Sequence, residues 1–155
     1  MELDQKKAFL EEIKEEMICC FLNSEEIDKI APFFEVKEYP AKTLIFREGE
    51  PGNFIGFVVS GRLEVKKQTE FKGNQIIVAL LSKGALVGEL SMFDMHYRSA
   101  TVEAVEDTIL VVLTNESLDA LLQQYPSVGI KLLKGFIRIL SLRLRKTTER
   151  LTTIF

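Results

Sequence analysis

The sequence predicts a mainly β fold with helices at both ends (α+β), an antiparallel sandwich or roll. Three observations carry that expectation. Short β-rich runs recur at close, even spacing through the middle of the chain, glycine and proline fall between them, and helical apolar periodicity precedes and follows them. The runs are 43–47, 54–60, 62–67, 75–81, 98–104 and 108–114. Pro40, Gly49, Pro51-Gly52, Gly61, Gly73-Asn74, Gly84 and Gly88 punctuate them. Strands this closely spaced suit antiparallel neighbours rather than βαβ units. Lys72-Gly73-Asn74, between two of the runs, has the composition of a hairpin turn.

The ends read as helix. Phe9, Ile13, Met17 and Phe21 recur every four residues, giving an apolar face against an acidic one. Asn23 with Glu26 has capping-box spacing, so a second short helix starts there and ends near Pro32. A further helix spans 115–124, with Thr114 or Asn115 as its N-cap, and Pro126 opens a long final one. In that helix Ile130, Leu133, Ile137, Leu140, Leu144, Thr147 and Leu151 step alternately by three and four, the spacing of a coiled-coil seam. A second stripe, Leu132, Phe136, Ile139 and Leu142, is expected to pack on the β core. Two apolar faces on one terminal helix call for a partner, and a parallel homodimer is the simplest. The 155 residues thus read as one domain: N-terminal helices over 1–32, a β region over 33–114 and closing helices over 115–155.

Composition narrows the function. The net charge of −3 gives no global attraction to nucleic acid. Residues 127–155 nevertheless hold seven bases and one acid (+6) against −9 for the rest, a basic helix face whose role the sequence leaves open. Adjacent Cys19 and Cys20 support no disulfide framework or thiolate metal site and read as reduced helix residues. The single histidine, His96, reads as an exposed loop residue and leaves no metal or haem site. No uncharged run approaches the ~20 residues of a membrane helix, and no signal-peptide pattern opens the chain. The expectation is a soluble cytoplasmic protein without a metal or cofactor. No nucleophile–base pair of recognised spacing is present, so an enzyme is not expected.

Residues 84–102 carry the chemistry. A short helical segment interrupts the β region, and alternation from Arg98 places Arg98, Ala100, Val102 and Ala104 inward, opposite Ser99, Thr101 and Glu103. An inward arginine needs an anion. Glu89 is one candidate; a bound phosphate is the other, since Gly88, Ser91, Ser99 and Ala100 are small and a helix start offers free N–H groups.

The series Gly88-Glu89-Leu90 … Arg98-Ser99-Ala100-Thr101-Val102 resembles the phosphate-binding cassette of cyclic-nucleotide-binding domains. Leu44-Ile45-Phe46-Arg47-Glu48-Gly49-Glu50-Pro51-Gly52 and Phe57-Val58-Val59-Ser60-Gly61 resemble that family's early strands and turns. The resemblance runs from about residue 22 to the end. It implies an eight-stranded β-roll with N-terminal helices, a B helix and a C helix. It also implies a site in which Arg98 binds the cyclic phosphate and Glu89 the ribose 2′-hydroxyl, with Gly88, Leu90, Ser99 and Ala100 completing the cradle. The C-terminal run resembles the C helix of catabolite activator proteins, where a Thr–Ser pair contacts the purine; Thr147 and Thr148 match it. Val87 and Tyr97 depart from the family, which often has an aromatic and a proline there.

The resemblance thus implies a sensor domain for cyclic AMP or cyclic GMP, cyclic AMP being favoured by Ser99 and the threonines. Signalling would pass through the C helix and a homodimer to an unknown downstream protein. The chain ends at Phe155 without a recognition helix, so direct DNA binding is not expected. The alternative is a degenerate roll that serves as a ligand-free interaction or dimerisation module.

Overall fold

The computed structural model describes residues 2–15, 21–71, 73–94 and 96–154. Helices α1 (Glu2–Lys14) and α2 (Ser24–Ile30) and a 3₁₀ turn (Ala31–Phe33) lead into β1 (Glu35–Tyr39), β2 (Leu44–Phe46), β3 (Phe54–Ser60), β4 (Leu63–Gln68), β5 (Gln75–Leu81) and β6 (Leu86–Val87). Helix α3 (Glu89–Phe93) follows, then β7 (Thr101–Ala104), β8 (Thr108–Thr114), α4 (Asn115–Gln124) and α5 (Pro126–Ile154). The strands form two four-stranded antiparallel sheets, β1-β8-β3-β6 and β2-β7-β4-β5. This is the eight-stranded roll with flanking helices.

Strands β3 and β8 explain the layering. Both are continuous apolar runs because they are buried on both faces. Ile55, Phe57 and Val59 with Val111 and Leu113 join the helices in one core. Val58, Leu110 and Val112 turn the other way, into the space between the sheets, beside Phe46, Leu63, Val87, Val102 and Ala104. Phe57 packs on Phe34 and, at 5.4 Å between ring centroids, on Phe136 of α5.

The helix ends follow their capping chemistry. Asn23 and Glu26 form the reciprocal capping box of α2, at 2.9 and 3.1 Å, and Thr114 caps α4 through Ser117 N–H. Phe71 O and Asn74 close the β4–β5 hairpin. Helix α1 ends earlier than its periodicity predicts: Leu10 and Ile13 are its buried residues, and Phe21 lies in an exposed turn beyond it. Met17, Cys19, Cys20 and Lys72 lie outside the described residues. Strands β1 and β6 carry too little apolar pattern to be read from sequence. One is a charged edge strand and the other has two residues.

Helix α5 buries Val128, Leu132, Phe136 and Ile139, whereas Leu142 of the expected inner stripe is exposed. No helix among the described residues is long and apolar enough to cross a membrane.

Candidate functional site

Arg98 is the centre of the site. It is buried, as its alternation requires, but it precedes the β7 strand instead of starting it. Its backbone is pinned by the 49–51 turn: Arg98 N–H donates to Glu50 O at 2.7 Å, and Gly49 N–H donates to Arg98 O at 2.8 Å. The guanidinium then turns inward. Nη1 donates to Ser91 Oγ (2.8 Å) and Gly88 O (3.0 Å), and Nη2 to Phe54 O (3.1 Å). Its carbon sits 4.0 Å from the Phe46 ring centroid and 4.5 Å from that of Phe54, within cation–π range of both.

All three acceptors are neutral, so the positive charge stays uncompensated by direct contact. Burial works against that charge; Glu89, Glu50 and Tyr39 support it from a distance. Nε is the one buried side-chain polar atom without a hydrogen-bond partner among the described residues. Native proteins rarely leave such a donor empty unless a ligand or water fills it.

Two glycines make room for this arrangement. Gly88 has φ +88°, a left-handed conformation that suits residues lacking a Cβ, and it forms the N-cap of α3. A Cβ there would lie 2.5 Å from Arg98 Nη1 and 2.8 Å from Phe54 O. A Cβ on Gly52 would lie 2.3 Å from Ser91 Oγ and 2.5 Å from Arg98 Nε.

Arg98 opens onto a cavity of about 170 Å³. Phe46, Val65, Ala79, Leu81, Leu86, Val87 and Val102 form its apolar wall. Gly88, Glu89, Ser91, Ser99 and Ala100 form the polar end with Arg98. The structure therefore brings Gly88, Glu89, Arg98, Ser99 and Ala100 together, with Leu90 in the first turn of α3.

Glu89 does not pair with Arg98, which corrects the ion pair weighed from sequence. Its carboxylate instead accepts from Arg143 Nη1 of α5 at 2.6 Å, and Arg143 Nη2 donates to Leu86 O. The local fold explains the exchange: Arg98 is saturated on its inner side by Gly88, Ser91 and Phe54, while Glu89 opens a helix within reach of α5. Arg143 is thus a site residue that sequence reasoning missed; its only signal was an arginine beside the apolar seam. Thr147 and Thr148 are exposed, do not line the cavity, and donate their hydroxyls to Arg143 O and Leu144 O of their own helix.

The described residues contain no group of three or more His, Cys, Asp and Glu able to hold a metal. His96 is exposed, its ring nitrogen 2.8 Å from Asp94 O.

The site is one arginine held in a glycine-lined cradle beside a short helix of a β-roll. The profile of the family described as the cyclic nucleotide-binding domain matches residues 36–125, and the chain belongs to that family. It is 37% identical over 108 residues to the Cyclic AMP receptor protein of Thermus thermophilus, a match covering 70% of this chain and 50% of that protein. It is 33% identical over 122 residues to the cAMP-dependent protein kinase regulatory subunit of Debaryomyces hansenii, covering 79% and 25% respectively. The chain therefore spans half or less of these relatives. Among solved structures, a cyclic nucleotide-binding domain from Methylobacillus flagellatus superposes with a TM-score of 0.87 at 28% identity, covering 96% of this chain and 85% of that one. The Thermus thermophilus Catabolite Activator Protein superposes at 0.72 with 33% identity, covering 86% and 60%.

Proposed function

We propose that the protein is a non-enzymatic sensor domain that binds a cyclic nucleotide, cyclic AMP in preference to cyclic GMP, and signals through α5 and a homodimer. The observation that carries the proposal is the buried Arg98 guanidinium, which lines the cavity and keeps its Nε–H without a partner. Nε and Nη2 share one edge of the guanidinium, the edge through which arginine grips two phosphate oxygens.

The charge balance favours a monoanion. Arg98 and Arg143 give the cavity two positive charges and Glu89 one negative, and Glu89 is already bonded to Arg143. A cyclic phosphodiester carries one charge and matches the remainder. A phosphomonoester dianion overfills it. Glu89 then accepts from the ribose 2′-hydroxyl, the small backbones of Gly88, Leu90, Ser99 and Ala100 approach the phosphate, and the apolar wall takes the base. The preference for cyclic AMP rests on the Ser99 hydroxyl and on the cyclic-AMP proteins among the more similar relatives.

Dimerisation follows from Ile130, Ile137, Leu144 and Leu151, which are 52, 61, 69 and 52% exposed and spaced by seven. In a parallel pair on this seam, Thr147 lies on the shared line and Thr148 falls opposite Arg143 of the second copy. That register takes a partner threonine toward the Glu89–Arg143 end of the cavity and couples ligand to helix position.

Titration calorimetry with cyclic AMP and cyclic GMP tests this. The expected result is saturable binding, tighter for cyclic AMP, weakened at least about tenfold by Arg98→Leu. No heat and no melting shift with either nucleotide at about millimolar concentration overturns the sensor reading and leaves a ligand-free interaction module.

A further inference from the structure

Strand β7 begins at Thr101, directly after the Ser99–Ala100 peptide at the polar end of the cavity. Strand β4 pairs with β7 as far as Lys66, opposite Thr101, and then runs on to Gln68. Lys67 therefore passes this peptide where the backbone ladder has stopped. Its side chain takes over from the ladder: Lys67 Nζ donates to Ser99 O at 2.8 Å.

Lys67 is itself held in place. Its Nζ lies 3.6 Å from one carboxylate oxygen of Glu48, and the other oxygen accepts from Gln68 N–H at 3.0 Å. Glu48 N–H in turn donates to the hydroxyl of buried Thr101 at 3.0 Å. Glu48, Lys67, Ser99 and Thr101 thus close a ring of contacts at the start of β7. On the other side of Ser99, the Arg98 backbone is pinned by Gly49 and Glu50.

A ring of this kind decides which way a peptide faces. A trans peptide is planar, so its carbonyl and its N–H point in opposite directions. With Ser99 O turned to Lys67, the Ala100 N–H points away from Lys67. Ser99 and Ala100 line the cavity, and Lys67 does not. The same peptide turned over would offer a carbonyl oxygen in place of the N–H, and a carbonyl oxygen repels an anion.

We propose that Lys67 is a positioning residue for anion binding: by holding Ser99 O it presents the Ala100 N–H to the phosphate of the ligand. The inference rests on the sensor reading and adds to it a residue outside the cavity. The Lys67 side chain is 53% exposed, and an exposed ion pair adds little to stability because both ends are solvated. Removing it therefore probes orientation without dismantling the roll.

The test compares the full wild-type chain with Lys67→Met, which keeps the stem and loses the donor, and with Lys67→Arg, which keeps charge and donors. Calorimetry with cyclic AMP is run at about 50 and about 300 mM salt, since a long-range charge effect fades at the higher salt. The expected result is affinity lower by about fivefold or more in Lys67→Met at both salt concentrations, largely recovered in Lys67→Arg. The Tm of both variants should stay within about 2 °C of the wild type. In the nucleotide-free proteins, the Ser99 carbonyl-carbon resonance should move upfield in Lys67→Met and return in Lys67→Arg, because accepting a hydrogen bond deshields that carbon. Equal affinity of Lys67→Met, a loss that disappears at the higher salt, or an unmoved Ser99 resonance each overturns the proposal and leaves the sensor reading standing. A wild type that binds no cyclic AMP overturns the sensor reading, and this inference with it.

Discussion

Glu89 and Arg143, 54 residues apart, form a 2.6 Å ion pair that joins the short helix α3 beside Arg98 to the long C-terminal helix. Their side chains are 11% and 33% exposed, so the pair is partly desolvated and its loss leaves a carboxylate in a half-closed cavity. Arg143→Ala is expected to cost about 1–3 kcal/mol, seen as a Tm lower by roughly 2–10 °C. Amide exchange over 140–147 should quicken in the same variant, because the distal helix loses its tie to the roll. The double variant Glu89→Gln/Arg143→Leu, which leaves no orphaned charge, should recover much of the loss. An Arg143→Ala protein with unaltered Tm and exchange removes the tie from the account.

Gly52 provides a sharper probe of the cradle because it lies outside the nucleotide motif itself. Gly52→Ala places a methyl within 2.5 Å of Arg98 Nε and 2.3 Å of Ser91 Oγ. The guanidinium has to shift, and with it the unpartnered donor. We expect a stability loss of about 1–3 kcal/mol and nucleotide affinity lower by about tenfold or more, read by calorimetry. Retained affinity means that Arg98 does not bind through that edge.

What the sequence makes legible follows from what each residue's signal depends on. Strands β3 and β8 could be read to the residue because burial on both faces leaves an unbroken apolar run. Arg98 could be placed inward because Ala100, Val102 and Ala104 share its side of the chain. Its partners could not. They are Gly88 O, Phe54 O and Ser91 Oγ, two of them backbone atoms brought in by separate elements, and no side-chain pattern announces a carbonyl. Arg143 was hidden for a related reason: on a helix with seven bases, the one that reaches Glu89 is fixed by how α5 crosses the roll. An apolar residue every fourth position describes a face and carries no stop signal, so the end of α1 at Lys14 is not legible from Phe9, Ile13 and Phe21.

A second tie joins α2 to α5, and it predicts acid sensitivity. Lys131 Nζ donates to both carboxylate oxygens of Glu26, at 3.0 and 2.8 Å. That hydrogen bond, followed by the Asn23 N–H, holds the Glu26 carboxyl below its ordinary value of 4.5, against a smaller opposing effect of burial. A depressed folded-state pKa means that the stabilisation is present above the ordinary value and is lost as the pH falls through the depressed one. The stability difference between the wild type and Glu26→Gln should therefore be full near pH 7 and shrink as the pH drops below about 4.5. Urea unfolding of both proteins across that range measures it. A difference independent of pH shows that Lys131 gains nothing from the carboxylate charge.

The seam of α5 gives the last prediction. Positions 130, 137, 144 and 151 are exposed isoleucine and leucine, and a monomer leaves all four in water. In a parallel pair the flanking positions bring Arg143 opposite Thr148 and Phe136 opposite Ser141 of the second copy, with no like charges facing. An antiparallel pair sets the arginine-bearing flank, Arg143 and Arg150, against itself. Parallel association is therefore the arrangement that buries the seam without repulsion. Sedimentation equilibrium should find a dimer for the wild type and a monomer for Ile137→Asp/Leu144→Asp, with little change in the Tm of the roll because both side chains lie outside its core. If the double variant sediments as the wild type does, another surface holds the copies together; a monomeric wild type leaves the seam to a different helix. In either event Thr148 loses its route to the cavity, since within a single copy its hydroxyl is turned back onto Leu144 O.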